Sequence, residues 1–289
     1  MKKRLPLSGK QVLLSTFFIS MAAILLAAHN TVADAVREGL LLCAHSVIPA
    51  LFPMFTAVTL AIRCGLGTLL PPQAAALILG LVGGYPVGGR TIAELLQNGS
   101  ISRQQAQRLL CCCNNAGPAF ILGIAGVGVF HSTYIGWVLY LLHMASALLL
   151  AALLIRPGQT VLSSQPPPNL SAAFVESVCS AVTAMVNVCG FVVLFWTVLS
   201  LLRDFTSLTH PLLLGAVELT NGILALPSSR SGFVMAAALL GWGGLSVHCQ
   251  TAAVLSDSEL KLSPYLLAKL AQSVLSAAMA IPVSGLLCL

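Results

Sequence analysis

Five stretches of this chain, residues 39 to 62, 64 to 89, 109 to 155, 177 to 202 and 231 to 256, contain no Asp, Glu, Lys or Arg. Each is longer than the roughly 20 residues that carry an α-helix across a bilayer. A water-soluble fold cannot be built around them. Hydrophobic residues make up 57% of the 289, charged residues 8%, and the mean hydropathy is +0.95, so too little polar surface remains to cover a core. Ten-residue runs of alternating apolar and polar character are absent, which argues against a β-barrel. The expectation is an all-α polytopic membrane protein, with the lipid bilayer as its first partner.

The net charge of +6 does not point to nucleic acid, because the basic residues stand singly between apolar runs and form no face. They read as topology markers. At the N-terminus, Lys2, Lys3, Arg4 and Lys10 precede apolar residues 12 to 28, and Ala33-Asp34-Ala35 offers a cleavage site. The apolar run is longer than a signal-peptide core of about 7 to 15 residues and more spans follow, so 1–35 is expected to stay as a membrane helix.

The segment 156–172, "RPGQTVLSSQPPPNLSA", reads as a linker. It separates two halves, 36–155 and 173–289, with matching landmarks. Glu38, Arg63, Pro71, Pro86 and Arg90 recur as Glu176, Arg203, Pro211, Pro227 and Arg230 at offsets of 138 to 141 residues. That agreement suggests an internal repeat. With spans near 11–29 and 38–62, a glycine-rich re-entrant hairpin at 71–98, and spans near 109–130 and 132–155, the second half starts from the opposite side to the first. Arg63, Arg103, Arg108, Arg156 and Lys261 then fall inside, and Arg37, Arg203 and Arg230 outside or near that interface. Two inverted repeats, each with a re-entrant or broken helix, are the architecture of many secondary transporters.

"CCCNNAGPAF", residues 111 to 120, holds the most conspicuous polar letters in an apolar run. Consecutive helical residues are rotated by about 100°, so Cys111, Cys112 and Cys113 point in three directions and cannot clasp one metal. No metal and no cofactor is expected. Pro118 removes a donor and disfavours helix at Gly117, so backbone groups around Asn114, Asn115 and Gly117 need partners other than lipid. A helix restarting at Pro118 would turn its positive end toward this break, well placed for an anion. The alternative is a capping loop at the membrane surface.

In the second half, "GAVELTNGI" sets Glu218 beside Thr220 and Asn221 in an apolar run. An intramembrane carboxylate is a functional candidate by default, here for coupling to a proton or cation. A structural partner for it would be Arg230 or Arg90. "GGLSVHCQTA" adds Ser246, His248 and Gln250 behind two glycines, and "GGYPVGGR" adds Tyr85 and Arg90, the latter either offsetting substrate charge or reaching the headgroups. Ser102 and Gln105 in "NGSISRQQAQRLL" have capping-box spacing. An enzyme is not expected, since there is no HExxH, no GxSxG and no aspartate pair.

Taken together, "VIPALFPMF" (47 to 55), the block from "GGYPVGGR" to "GIAGVGVF" (83 to 130), "GAVELTNGI" and "GGLSVHCQ" resemble the YlbJ-type sporulation integral membrane proteins of endospore-forming bacteria, in the nucleoside-recognition (Gate) family. The resemblance runs from about residue 36 to 288. It implies a transporter of dipicolinate, a small aromatic dicarboxylate, across the outer forespore membrane, akin to the gate repeats of nucleoside transporters. The substrate would meet Tyr85, Arg90, Asn114, Asn115, Gly117, Thr220, Asn221, Ser246, His248 and Gln250. A nucleoside-like substrate and a purely structural spore-membrane role are the alternatives, and a homo-oligomer is compatible with either.

Overall fold

The computed structural model describes residues 9–66, 70–156, 169–206, 209–256 and 258–287. Among them every regular element is helical. Helices α1 (Gly9–Ala27) and α2 (His29–Leu42) meet at 87° around Ala28. Helix α2 passes through a π-helical turn, Cys43–Val47, into α3 (Ile48–Ala61). Pro49 and Pro53 lack the N–H that an α-helical ladder needs, and the wider turn just upstream accommodates the missing bonds.

Two helices too short to cross a bilayer follow, α4 (Pro72–Gly83) and α5 (Val87–Gln97), joined through Gly84, Tyr85 and Pro86. Helix α6 (Arg103–Cys113) starts on the expected capping box: Ser102 Oγ accepts from Gln105 N at 3.3 Å, and Gln105 Oε1 accepts from Ser102 N at 2.8 Å. It stops at Asn114. After an extended break the chain restarts as α7 (Pro118–Phe120), continuing as a π-helical stretch, Ile121–Val129. Helix α8 (Thr133–Leu154) closes the first half.

The second half repeats this order of elements. Helix α9 (Leu170–Phe205) is followed by two short helices, α10 (Pro211–Val217) and α11 (Leu219–Leu224). An interrupted pair, α12 (Arg230–Trp242) and α13 (Gly244–Val254), and an unbroken helix, α14 (Leu262–Ser284), complete it. Counted through their interruptions, Arg103–Val129 and Arg230–Val254 are two of five stretches among the described residues long and apolar enough to cross a membrane, and the bent α1–α2 pair makes six if it is one span.

Helices α2 and α3 run antiparallel to α9. Thr31 Oγ1 donates to Asp204 at 2.7 Å, Trp196 Nε1 donates to Glu38 at 3.3 Å, and Arg63 pairs with Glu176. Large apolar side chains are exposed on several helices, among them Leu13 and Leu26 on α1, Leu153 on α8, Phe205 on α9 and Leu267 on α14. That surface suits lipid and not water.

Several boundaries differ from expectation. Helix α2 begins at His29, so the 35/36 boundary falls inside a helix, and the two spans expected near 11–29 and 38–62 are a bent pair followed by a π-interrupted helix. Polar His29, Asn30, Thr31 and Asp34 hid that helix, because its polar face leaves no apolar run to read. Helix α9 begins at Leu170, within the last residues of the expected 156–172 linker. Residues 157–168 of the expected linker lie outside the described residues.

Candidate functional site

The break after Cys113 is held by side chains from distant helices. Gly80 on α4 and Gly88 on α5 clear space for it, since a Cβ on either would lie 1.8 Å or 2.0 Å from the Cys113 carbonyl oxygen. Gly84, at φ 74°, lies so close to Gly117 that an added Cβ would sit 2.9 Å from the Gly117 backbone. The corner between α4 and α5 therefore packs directly on the break of the α6–α7 pair.

Asn114 and Asn115 are fully buried. Asn114 Nδ2 donates to Thr251 Oγ1 (2.8 Å) and Tyr265 OH (3.0 Å), and its Oδ1 accepts from Gly89 N (3.3 Å). Asn115 Nδ2 donates to the Cys112 carbonyl at 2.7 Å, caring for one of the carbonyls that a helix end leaves without a partner. On the restarting side, Ala116 N donates to His143 Nε2 of α8 at 3.2 Å. The sulfurs of Cys111 and Cys112 donate to carbonyls one turn back.

At the centre of this network stands Lys269 on α14, with 0% of its surface exposed. Its ammonium donates to the Asn114 carbonyl (2.9 Å), Asn115 Oδ1 (3.2 Å) and Gln272 Oε1 (2.6 Å). Gln272 Nε2 in turn donates to Asn115 Oδ1 and Ser146 Oγ. Among the described residues no carboxylate lies within ion-pair distance of Lys269. A cation at the carbonyl end of α6 also opposes that helix's dipole.

The second half supplies a counterpart. Glu218, 2% exposed, stands between α10 and α11 as the N-cap of α11. Its Oε1 accepts from Thr220 N (3.1 Å), and its Oε2 accepts from Asn221 N (2.7 Å) and Asn221 Nδ2 (3.1 Å). It pairs with neither Arg90 nor Arg230, the structural partners weighed for it. Arg203 reaches Asn221 Oδ1 at 3.4 Å instead. The α12–α13 interruption lies at Gly243 and Gly244, whose φ angles of 91° and 82° demand glycine.

Three of these interruptions border one cavity of about 480 Å³, and α13 reaches it from beyond the fourth. Tyr85 comes from the α4–α5 corner, Ala116 and Gly117 from the α6–α7 break, Glu218 and Thr220 from the α10–α11 junction, and Gln250 from α13. Val47 and Leu51 of the first long stretch and Val188 and Val192 of α9 form an apolar wall. An apolar wall with a few polar groups is the usual lining of a small-molecule site.

Five of the expected site residues, Tyr85, Gly117, Glu218, Thr220 and Gln250, thus border this cavity. The others do not. Asn114 and Asn115 are one layer behind it. His248 bonds Tyr265 OH through Nδ1 at 3.3 Å, Ser246 accepts from Gln250, and Asn221 turns to Glu218. Arg90 borders a separate cavity of about 380 Å³ with its partner Glu94, beside Thr91 and Ser180. Sequence reasoning missed Lys269, Gln272, Tyr265, His143 and Ser146. Tyr265, Lys269, Gln272 and Ser276 recur at the spacing of one helix face, and all are buried.

This fold and site define a polytopic helical membrane protein whose interrupted helices converge on an internal polar centre. The chain is similar to the sporulation integral membrane protein YlbJ of Bacillus subtilis (strain 168), at 26% identity over 329 aligned positions that cover 92% of this chain and 81% of the relative. The YlbJ-type resemblance is borne out across nearly the whole length. No family model matches the chain, and no solved structure matches it significantly.

Proposed function

We propose that the protein is a secondary transporter of a small anionic aromatic metabolite, dipicolinate during spore formation, and a carrier rather than an enzyme. The observation that carries this reading is the convergence of three helix interruptions on one cavity of about 480 Å³. Non-helical backbone at membrane depth is tolerated where it is buried in protein or lines a cavity, and transporters place their substrates there. The first-turn amides of the helix restarting at Pro118 have no acceptor within that helix, and Gly117 and Phe120 beside them line the cavity. Buried Lys269, when protonated, would give the site a positive character suited to a carboxylate.

The recurrence of element order in two halves supports an inverted repeat. A two-fold axis in the membrane plane makes equivalent helices antiparallel, and the α2–α3 stretch and α9 are equivalent in order and antiparallel in packing. Alternating access would rock one half against the other around the cavity. Sporulation as the setting rests on the name of the relative.

Uptake into proteoliposomes of a panel of aromatic acids and nucleosides, with and without a proton gradient, tests the reading. Saturable dipicolinate uptake that uridine does not compete is expected. Competition by uridine would favour a nucleoside carrier, and absence of uptake and binding for the whole panel would leave a structural role in the spore membrane.

A further inference from the structure

Among the described residues Glu218 is the only carboxylate on the cavity wall, and both of its oxygens are taken by the amides that open α11. Its oxygens are therefore already engaged within the fold. Lys269 is placed differently. Three oxygens surround its nitrogen, which matches the three N–H bonds of an ammonium, and a neutral amine would leave one of those oxygens facing a lone pair. All three oxygens belong to neutral groups, so the network solvates the cation without neutralising it. The nitrogen lies 5.6 Å from the centroid of the Tyr85 ring, and Tyr85 is part of the cavity wall.

We propose that Lys269 is the coupling residue of this carrier: a proton on its amine and an anion in the adjoining cavity bind as a pair. The proposal rests on the transport reading above. The proton comes from water and takes the amine lone pair, and the substrate carboxylate supplies the opposite charge that the protein omits. By linkage each promotes the other, so an anion would travel with a proton. The proton also completes the bonds tying Asn114 and Asn115 to α14, so substrate arrival fixes the α6–α7 break to the last helix.

Other groups face Lys269 and must be told apart from it. They are Cys111, Cys112 and Cys113 on α6, His143 on α8, His248 on α13, Tyr85 at the α4–α5 corner and Tyr265 on α14. His143 accepts the Ala116 amide through Nε2, and its Nδ1 has no partner. His248 meets Tyr265 through Nδ1, and its Nε2 has no partner. Each histidine is a rival seat for the proton.

The test is calorimetric titration of the purified full-length chain with dipicolinate, in buffers of differing ionisation enthalpy, from mildly acidic to alkaline pH. Uptake of about one proton per bound anion and an affinity that falls as pH rises are expected, with a limiting slope of about tenfold per pH unit. Lys269→Arg, a cation at every pH, should bind without proton uptake and with a flat profile. Lys269→Gln should bind at least about tenfold more weakly at the acidic end.

Binding by the unmodified chain with no proton uptake and no pH dependence overturns the assignment, and this result needs no variant to fold. Proton uptake retained in Lys269→Arg also overturns it, by moving the proton to a histidine. No binding of any aromatic acid by the unmodified chain would instead bring down the transport reading and the coupling proposal together.

Discussion

The Lys269 ammonium lies 2.9 Å from the main-chain oxygen of Asn114, 155 residues earlier in the chain. One side chain of the last helix thus closes the carbonyl end of an interrupted helix in the first half. Removing it leaves that carbonyl, the Asn115 amide oxygen and the Gln272 amide oxygen short of a donor. Lys269→Met keeps an unbranched chain of similar length, and it should lower stability by about 2 to 4 kcal/mol. Thermal unfolding in detergent reads this, and an unchanged midpoint would show that the network holds nothing together.

Gly88→Ala places a methyl group 2.0 Å from the Cys113 carbonyl oxygen, which is backbone and cannot swing aside. Displacing the break should cost roughly 1 to 3 kcal/mol or more, with loss of substrate uptake at normal expression. Gly99→Ala is the control. No atom crowds that position, and its positive φ alone should cost only about 1 kcal/mol.

Glu218→Ala removes an acceptor for two backbone amides and should destabilise the protein by about 1 to 2 kcal/mol. Glu218→Gln keeps one oxygen and should lose less. If the carboxylate only caps α11, the Gln variant transports at near the normal rate, whereas a coupling role for Glu218 would abolish its uptake. The same proteoliposome assay distinguishes the two.

Asn115→Ala cuts the links to Lys269, Gln272 and the Cys112 carbonyl at once. Dipicolinate uptake should disappear, because the break that shapes the cavity loses its position. The variant should still reach the membrane, as the stretches Arg103–Val129 and Thr133–Leu154 are long and apolar enough to insert without it. Uptake at the normal rate would separate the network from the site.

By contrast, the Arg63–Glu176 pair joins α3 to α9 at a half-exposed position, with side-chain exposures of 34% and 58%. A double-mutant cycle with Arg63→Ala and Glu176→Ala should return a coupling energy of about 1 kcal/mol or less. A larger value would mean that the interface between the two halves depends on this pair.

Much of the helical frame was legible in the sequence, for stated reasons. Charge-free runs became the long helices, Ser102 and Gln105 formed their capping box, and the break at Asn114–Gly117 appeared where Pro118 required it. The position of a break follows from local chemistry. The partners of a break do not, because they are settled by tertiary packing. Lys269 was the detectable exception. A scan for charge-free stretches passes over a span that carries one buried cation, yet Tyr265, Lys269, Gln272 and Ser276 mark a single polar face in an otherwise apolar helix. Helix α2 was obscured for the opposite reason, being amphipathic where an apolar run was sought.

The stripe on α14 has a consequence for how the protein is made. A ribosome delivers residues 103–129 to the membrane long before it delivers 262–284, so the Asn114 carbonyl and the Asn114 and Asn115 side chains arrive ahead of the α14 groups that bond them. Until α14 is inserted, the half-built bundle carries an unhealed polar seam in hydrocarbon, a state that lipid cannot repair. Chains truncated before residue 262 should therefore be cleared by membrane proteases even though every earlier span has been inserted. The last helix acts as the latch on assembly, and the nascent protein stays open to water, or to a holding factor, until that latch arrives.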